Sequence, residues 1–321
     1  MTGLAIETTA LTRDFGPLRA VDGLTLAVPR GIIFGFLGPN GAGKTTTIQL
    51  LLGLLAPSGG SASVLGFDTR QQAGDIRQRV GALLEHAGLY ERLSAEENLE
   101  FYGRVWHLPA SERRTRIRDL LARMDLWERR QEKVSTWSRG MKQKLAVART
   151  LMHRPALVFL DEPTDGLDPL AAASLRNDLD ALSTQEGVTF FLTTHNLAEA
   201  ERLCHDVAVI RGGKLLAVGR PDELRDRAGG QRVEIAGWNF TPEALAALAQ
   251  RPEVASLEQG NGASSSDQST SQPRQRLLVR LSDEGSVPPL VTLLVQGGGL
   301  IEHVARERAT LEEAFLDLVR E

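Results

Sequence analysis

The sequence predicts an α/β fold, in which a mostly parallel β-sheet lies between helices, followed by a smaller α+β domain. The length of 321 residues fits two domains. Three segments are apolar almost throughout, which is typical of strands covered on both faces, and helical segments alternate with them. These strand candidates are 32–37, 157–160 and 189–193. Beyond residue 229, short strands and helices follow in a different order.

The N-terminal part is predicted to begin with strands and to change to a strand–loop–helix unit. Residues 1–30 alternate apolar and polar in runs that break at Gly16-Pro17, which predicts strands joined by hairpin turns. The first buried strand candidate leads into a glycine-rich loop. A helix through Leu55 is predicted next, because Pro57 and two glycines then end the pattern.

A helical region is predicted over about residues 86–150. Ser94 and Glu97 have the spacing of a capping box, in which each side chain bonds the backbone of the other. Farther along, four apolar side chains share one helical face: Ile117, Leu120, Leu121 and Met124. After the second buried strand candidate, a helix over 169–183 and a strand over 207–210 complete this part of the chain.

The C-terminal segments alternate in the order βαββαβ, which predicts a split βαβ, ferredoxin-like domain with one extra helix. The predicted strands are 231–236, 253–258, 276–282 and 299–305, and the predicted helices are 242–250, 287–296 and 310–320. A loop rich in Ser, Gln and Gly, 259–274, is interpreted as a disordered hairpin tip. We therefore expect one domain over 1–228 and an accessory domain over 229–321.

Composition and charge exclude several classes of protein. The chain has 37 basic and 41 acidic residues, a net charge of −4, so the basic excess of a nucleic-acid-binding protein is absent and no nucleic-acid partner is expected. Four arginines between 113 and 118 are interpreted as a solvated helix face, because acidic residues follow them. The only cysteine, Cys204, excludes an internal disulfide. No signal peptide or membrane-spanning segment is predicted.

The strongest motif is a G-x-x-x-x-G-K-[ST] loop between a predicted strand and a predicted helix, the context that identifies a phosphate-binding loop. It runs through Gly38, Pro39, Asn40, Gly41, Ala42, Gly43, Lys44 and Thr45. Its glycines allow backbone N–H groups to surround phosphate oxygens, and the helix dipole adds to the attraction. Lys44 is expected to contact the β- and γ-phosphates, and the Thr45 hydroxyl to bind Mg²⁺.

A second motif is the apolar strand 157–160, which ends in Asp161 and Glu162. Such a strand delivers carboxylates to the edge of the sheet where ligands bind. Asp161 is expected to hold Mg²⁺ through water, and Glu162 to take a proton from the attacking water. Taken alone, an Asp-Glu pair after an apolar run could equally be a helix cap. The phosphate-binding loop upstream favours the catalytic interpretation.

The order of the remaining motifs indicates which kind of nucleotide-binding protein this is. Ser138-Arg139-Gly140-Met141 precedes the Asp-Glu strand, Asp165-Gly166-Leu167-Asp168 follows it, and His195 ends the next apolar strand. Together with the first two motifs, this order resembles the nucleotide-binding subunit of an ABC transporter over about residues 4–225. The resemblance implies a RecA-like core with an antiparallel β subdomain and a helical subdomain, and it implies ATP and Mg²⁺ as cofactors.

The resemblance also implies roles, position by position. His195, which alone would be interpreted as a structural histidine, matches a switch histidine that contacts the γ-phosphate. Phe15 matches an aromatic residue that stacks on adenine, although a core phenylalanine is the alternative. The other residues implied to bind ATP are Gly38, Pro39, Asn40, Gly41, Ala42, Gly43, Lys44, Thr45 and Thr46, and, for the ATP held by a second subunit, Ser138, Gly140, Met141 and Asp168. Two subunits would therefore close head to tail on two ATP molecules.

Two departures from the family pattern favour a subgroup. The signature reads Trp-Ser-Arg-Gly-Met over 137–141, and Glu85 stands where a Mg²⁺-binding glutamine is usual. Both changes resemble those in the ATP-binding subunits of drug, antibiotic, lipid or polysaccharide exporters, whose membrane subunits are separate chains. The Thr-Leu-Glu-Glu-Ala-Phe segment at 310–315 resembles the end of the accessory domain in the same subgroup. Glu85 is expected to bind Mg²⁺, with a solvated loop glutamate as the alternative.

The resemblance implies a partner and a location. We expect a separate polytopic permease, contacted near Leu89 and Tyr90, a second copy of the chain or a related ATPase, and a peripheral position on the cytoplasmic face of the membrane. A switch acting on ribosomes or DNA is an alternative, but only one cassette and no heptad run are present. A regulatory sensor whose C-terminal domain binds a small ligand is a further alternative.

Overall fold

A computed structural model describes residues 3–229, 232–261, 274–282, 286–307, 310–313 and 315. The chain separates into two compact units, Met1–Pro221 and Asp222–Glu321. In the first unit the strands are β1 (Leu4–Phe15), β2 (Leu18–Pro29), β3 (Ile33–Leu37), β4 (Gly59–Val64), β5 (Phe67–Asp68), β6 (Val80–Leu83), β7 (Leu157–Asp161), β8 (Thr189–Thr194), β9 (Asp206–Arg211) and β10 (Lys214–Gly219). The helices that precede residue 221 are α1 (Lys44–Leu51), α2 (Ala73–Arg79), α3 (Ala95–Val105), α4 (Ala110–Arg123), α5 (Arg139–Thr150), α6 (Pro169–Glu186) and α7 (Leu197–Leu203).

Two sheets form the first unit, as the α/β prediction requires. The antiparallel sheet has the order β2-β1-β4-β5, and the second sheet has the order β10-β9-β3-β8-β7-β6. In the second sheet, β3, β6, β7, β8 and β9 run parallel, and β10 pairs antiparallel with β9. The register sets Leu37 beside Thr194 and Asp161 beside Thr193, so the carboxyl ends of three adjacent strands meet at one edge.

The core lies on the central strands, which are apolar because helices and the antiparallel sheet cover them. All residues of β3 are buried, and so are those of β8. The rings of Phe34, Phe36 and Phe159 all pack against Phe191, with centroids 5.3–5.7 Å apart. Cys204 is buried, as expected of a small apolar side chain.

The helical region contains α3, α4 and α5, with two 3₁₀ turns (Trp127–Arg129 and Val134–Thr136). The capping box is confirmed, because Ser94 accepts a hydrogen bond from the backbone of Glu97 and Glu97 accepts one from Ser94. The interpretation of the arginines as a wholly solvated face is wrong. Arg116 is buried and donates to the carbonyl of Leu151 at the end of α5, and Arg113 pairs with Glu100.

Helix α1 is shorter than the sequence predicts, since it ends at Leu51 and not at Leu55. Gly53 adopts a left-handed conformation with φ 63°. A Cβ at this glycine would lie 2.5 Å from the Cβ of Ala73 and 2.7 Å from the carbonyl oxygen of Thr69. The close approach of α2 therefore turns the chain out of the helix at a glycine, before the proline is reached.

After one helix, the second unit has the predicted βαββαβ order. Its elements are α8 (Pro221–Gly229), β11 (Arg232–Trp238), α9 (Pro242–Ala249), β12 (Val254–Asn261), β13 (Gln275–Leu281), α10 (Val287–Gln296) and β14 (Leu300–Glu307). The antiparallel sheet order β12-β13-β11-β14 is that of a split βαβ, ferredoxin-like fold. Leu248 of α9 and Leu294 of α10 pack with Val233 and Val279 of the sheet in one core.

Two predicted segments of this unit fall largely outside the described residues. The polar loop over 259–274 is described only at its two ends, and the helix over 310–320 only at 310–313 and 315. Within the described part, Thr310 and Glu313 bond each other as a capping pair, and Leu311 is buried. Of the helices described anywhere in the chain, none combines the length and the apolar character needed to cross a membrane.

Candidate functional site

The phosphate-binding loop connects β3 to α1 at the carboxyl edge of the parallel sheet. Residues 38–42 form the turn, and Gly43 has a φ of 102°, a conformation open to glycine and strained for other residues. A Cβ at Gly43 would lie 2.3 Å from the carbonyl oxygen of Ala20, so only glycine fits this position. The N-cap residue of α1 has no side chain, and the first turn of the helix carries no acidic side chain. Its N–H groups thus form an anion site.

Lys44 is the buried cation of the site, with 6% of its side chain exposed. Its Nζ donates to the carbonyl oxygens of Gly38 at 2.7 Å and Pro39 at 3.2 Å. The same atom lies 3.1 Å from Oε1 of Glu162 at the end of β7. A buried ammonium group requires such partners, because removal from water without compensation is costly. The lysine is thereby held at the mouth of the loop.

Asp161 meets Thr45 across the loop. The Thr45 hydroxyl donates to Oδ2 of Asp161 at 2.8 Å, and the buried Thr193 hydroxyl donates to Oδ1. A hydroxyl and a carboxylate side by side are the donor set that Mg²⁺ accepts when phosphates and water supply the other ligands. Among the described residues no cluster of three or more His, Cys, Asp or Glu could hold a metal ion. The Thr45–Asp161 pair therefore fits a magnesium ion that arrives with a nucleotide.

Glu162 and His195 contact each other beside Lys44. Oε2 of Glu162 lies 2.9 Å from Nδ1 of His195 and accepts the backbone N–H of His195 at 3.3 Å. Oε1 is buried and faces Nζ of Lys44, and no other donor within the described residues is directed at it. Glu162 has a φ of 50°, in the left-handed region that residues with a side chain seldom adopt. Each carboxylate oxygen of Glu162 thus has one neighbour, Lys44 for Oε1 and His195 for Oε2.

Phe15 is exposed at the end of β1, with 41% of its surface accessible, so the alternative of a core phenylalanine is wrong. The guanidinium of Arg13 lies 4.5 Å from its ring centroid. A ring held in this way offers a face on which a base can stack. Glu85 is exposed in the loop after β6, beyond the strand end that pairs with β7. This position is compatible with either interpretation of Glu85.

The signature residues lie at the N-terminus of α5. Ser138 is the N-cap and accepts the backbone N–H of Met141 at 3.3 Å. Gly140 lies against α6, because a Cβ there would be 2.8 Å from the Cβ of Ala171. Asp168 caps α6, because its Oδ1 accepts the backbone N–H groups of Leu170 at 3.0 Å and Ala171 at 2.9 Å. Arg139 and Gly140 contact the segment 165–171, whereas Sδ of Met141 accepts a hydrogen bond from Nη1 of Arg129 at 3.2 Å. None of the contacts described for this group is with Lys44.

Sequence reasoning missed four residues at the site, Thr193, Thr164, Arg176 and Glu199. Thr193 supports both acids, since its hydroxyl also accepts the backbone N–H of Glu162 at 3.1 Å. Glu199 accepts from Thr164 and from Arg176, the latter at 2.9 Å. The two threonines that end the apolar strand β8 could have indicated Thr193, because polar side chains at such a strand end face the site. The contacts of Glu199 are with residues far from it in the sequence, and no local sequence pattern predicts them.

Comparisons with known proteins agree with this geometry. Residues 21–165 match the ABC transporter family model. Daunorubicin resistance ATP-binding protein DrrA3 of Streptomyces coeruleorubidus is 36% identical over 319 residues, which cover 99% of this chain and 96% of that protein. Bacitracin transport ATP-binding protein BcrA of Bacillus licheniformis is 39% identical over 69% of this chain and 72% of that protein.

A solved structure extends the comparison to the fold. The structure of CbiO1 from Clostridium perfringens, part of the ABC transporter complex CbiONQ, superposes with a TM-score of 0.65 and 26% identity. The match covers 69% of this chain and 90% of that chain. Sequence identity across almost the full length of a relative and the shared cassette fold agree, and the chain belongs to the ATP-binding proteins of the ABC transporter family.

Proposed function

We propose that the chain hydrolyses ATP to drive export through a separate membrane permease. The observation that carries the proposal is the convergence of Lys44 and Thr45 from the phosphate-binding loop with Asp161, Glu162 and His195 from two strand ends. A cation, a metal-binding pair and a carboxylate that can act as a base are the parts that hydrolysis of a phosphoanhydride needs.

Each residue has a defined part in this mechanism. Lys44 and the N–H groups of α1 bind the phosphates, and Phe15 stacks on adenine. Thr45 and Asp161, with Glu85 as a candidate ligand, hold Mg²⁺, which neutralises charge on the phosphates. Glu162 takes the proton of the attacking water.

His195 and the signature residues complete the proposal. His195 contacts the γ-phosphate, and its bond to Glu162 couples that contact to the base. None of the contacts described for the signature residues Ser138, Gly140 and Met141, or for Asp168, is with Lys44. These residues serve the ATP of a second copy, or of a related ATPase, in a head-to-tail dimer. Loss of the γ-phosphate then removes a bridge between the two subunits.

The cargo and partner follow the relatives. Those relatives are named for daunorubicin resistance and for bacitracin transport, so we propose that the cargo is a drug or antibiotic, with a lipid or a polysaccharide-type molecule as the alternative. The permease contact lies beside the Glu85 loop, where the exposed ring of Tyr90 packs edge-on against Phe101 at 4.8 Å, next to Leu89. The chain thus lies on the cytoplasmic face of the membrane, held by the permease.

Two measurements test the proposal. Purified protein is expected to release phosphate from Mg-ATP, and Lys44→Ala is expected to abolish this release. The matched control is Lys214→Ala, because Lys214 is 68% exposed and pairs only with Asp22 in the described contacts. Tagged protein is expected to bring down a polytopic membrane protein from solubilised membranes. Absence of phosphate release, or of any such partner, contradicts the corresponding half of the proposal.

A further inference from the structure

Glu199 joins three segments that surround the proposed catalytic pair. It lies on α7, four residues after His195, and Asn196 caps that helix by accepting the N–H of Glu199 at 3.1 Å. One carboxylate oxygen accepts the Thr164 hydroxyl, and the other accepts Nη1 of Arg176 at 2.9 Å. The side chains of Glu199 and Arg176 are only 17% and 18% exposed. The contacts are therefore partly shielded from water and are expected to be stronger than those of a fully exposed pair.

The Thr164–Glu199 bond runs beside the bond between Glu162 and His195. Thr164 is two residues after Glu162, and Glu199 is in the helix that His195 precedes. The strand-end segment of β7 and the segment after β8 are therefore tied at two points, first by Glu162–His195 and then by Thr164–Glu199. Two hydrogen bonds restrict the angle between the segment after β7 and the segment after β8, whereas a single hydrogen bond would allow rotation about it.

Arg176 connects a third element, helix α6, to Glu199. It projects from α6, the helix that Asp168 caps, and it approaches Glu199 from that side. A cleft of about 350 Å³ exposes Glu162 and His195 and has Arg176 and Glu199 in its wall. Movement of the loop between β7 and α6 would displace Glu162 and Asp168 together.

We infer that Glu199 is a positioning residue for ATP hydrolysis: through Thr164 and Arg176 it holds Glu162 and His195 in their mutual geometry. This inference rests on the proposed function, in which Glu162 is the base. None of the contacts described for Glu199 is with Lys44, Thr45 or Asp161, so we expect its effect to fall on the chemical step and not on ATP binding. A displacement of about 1 Å at a reacting group costs up to about a hundredfold in rate.

The test is steady-state hydrolysis of Mg-ATP by the full chain. We expect Glu199→Ala to lower kcat by about 10- to 100-fold, with KM and the affinity for a fluorescent ATP analogue changed by less than about threefold. Glu199→Gln is expected to restore most of kcat, because its amide oxygen can accept from Arg176 and its NH₂ group can donate to the Thr164 hydroxyl. A purely structural role would not separate kcat from KM or show this rescue.

A second variant keeps the test decisive if Glu199→Ala fails to fold. Thr164→Val removes one hydroxyl with little change in volume, and we expect it to lower kcat about threefold or more, within the range of one lost buried hydrogen bond. Combined with Glu199→Ala, it should add little, because both variants remove the same bond. The matched control is Glu100→Ala, which deprives Arg104 and Arg113 of their carboxylate on α3 and should leave kcat unchanged.

The outcomes separate this inference from the proposed function. If Glu162→Gln abolishes hydrolysis while Thr164→Val and Glu199→Ala retain the wild-type kcat, the positioning role is overturned and the proposed function stands. If the wild-type chain hydrolyses no Mg-ATP, or Glu162→Gln hydrolyses it normally, the proposed base is wrong and the inference falls with it. Lowered kcat in Glu199→Ala with equal loss in Glu100→Ala would also overturn the inference.

Discussion

The ammonium group of Lys44 and the carboxylate of Glu162 form an ion pair where α1 begins and β7 ends, with Nζ 3.1 Å from Oε1. The two residues are more than a hundred positions apart in the chain, and only the parallel sheet brings them together. Phosphates entering the loop would compete with Glu162 for the same ammonium group. We therefore expect nucleotide binding to release Oε1 from Lys44 and make it available to water.

The first prediction concerns Glu162→Gln. Removal of the carboxylate is expected to lower kcat by about 10²- to 10⁴-fold, the usual contribution of a general base. ATP affinity should be retained or increased, because glutamine carries no charge to compete for Lys44. Phosphate release and equilibrium binding of a fluorescent ATP analogue measure the two effects. Glu112→Gln, which alters an exposed pair with Arg154, is the control and should change neither.

The second prediction concerns the Thr45–Asp161 pair. Thr45→Val removes the hydroxyl that bonds Oδ2 of Asp161, and we expect the Mg²⁺ concentration for half-maximal hydrolysis to rise about tenfold. A titration of phosphate release with MgCl₂ at fixed ATP measures the shift. Thr184→Val is the matched control, since the Thr184 hydroxyl is exposed and bonds only within α6 in the contacts described. An unchanged Mg²⁺ requirement would contradict the assignment of Thr45.

The third prediction concerns the exposed ring of Phe15. Phe15→Ala is expected to weaken ATP binding by about 1–3 kcal/mol, the range for loss of one base–aromatic stack. Phe15→Tyr should bind ATP almost normally, because it preserves the stacking face. The ring is 41% exposed, so the urea midpoint of the chain should change little in either variant. Equal ATP affinity in Phe15→Ala and wild type would exclude stacking on this residue.

The features that the sequence predicts well are those with a local pattern. Buried strands are continuous apolar runs, and in a parallel sheet their ends must meet at one edge. For this reason the proximity of Lys44, Asp161 and His195 follows from three motifs and the expected topology. The βαββαβ order of the second unit is predictable on the same grounds, since each element has its own periodicity and turn.

The features that the sequence does not predict depend on contacts between distant segments. Arg116 looks like a solvated residue, yet its guanidinium is buried against the carbonyl of Leu151, which needs a donor at the end of α5. Helix α1 ends early because α2 packs against Gly53. Glu199 and Thr164 are ordinary polar residues in the sequence, and their bond appears only when α7 is placed beside the loop after β7.

The surroundings of His153, just after α5, lower the pKa of its imidazole. The His153 ring stacks on Trp106 with centroids 3.8 Å apart, and its Nε2 lies 3.1 Å from the carbonyl oxygen of Val80. Burial lowers the pKa of His153 below its ordinary value of 6.5. The Val80 carbonyl opposes this shift, whereas the charges of Arg116 and Arg149 reinforce it, and burial prevails.

The fourth prediction follows from the sign of that shift. Below pH 6.5 the unfolded chain binds a proton at His153 that the folded chain does not, so the free energy of unfolding falls as the pH drops from 6.5 towards the folded pKa. His153→Phe preserves the stack and cannot titrate, so its urea midpoint should fall less than that of wild type between pH 7.5 and 5.5. Tryptophan fluorescence suits the measurement, since three of the four tryptophans, Trp106, Trp127 and Trp137, lie in this region. His86→Gln, at an exposed histidine, should behave as wild type. Parallel pH profiles for wild type and His153→Phe would show that His153 does not contribute to the acid sensitivity of the fold.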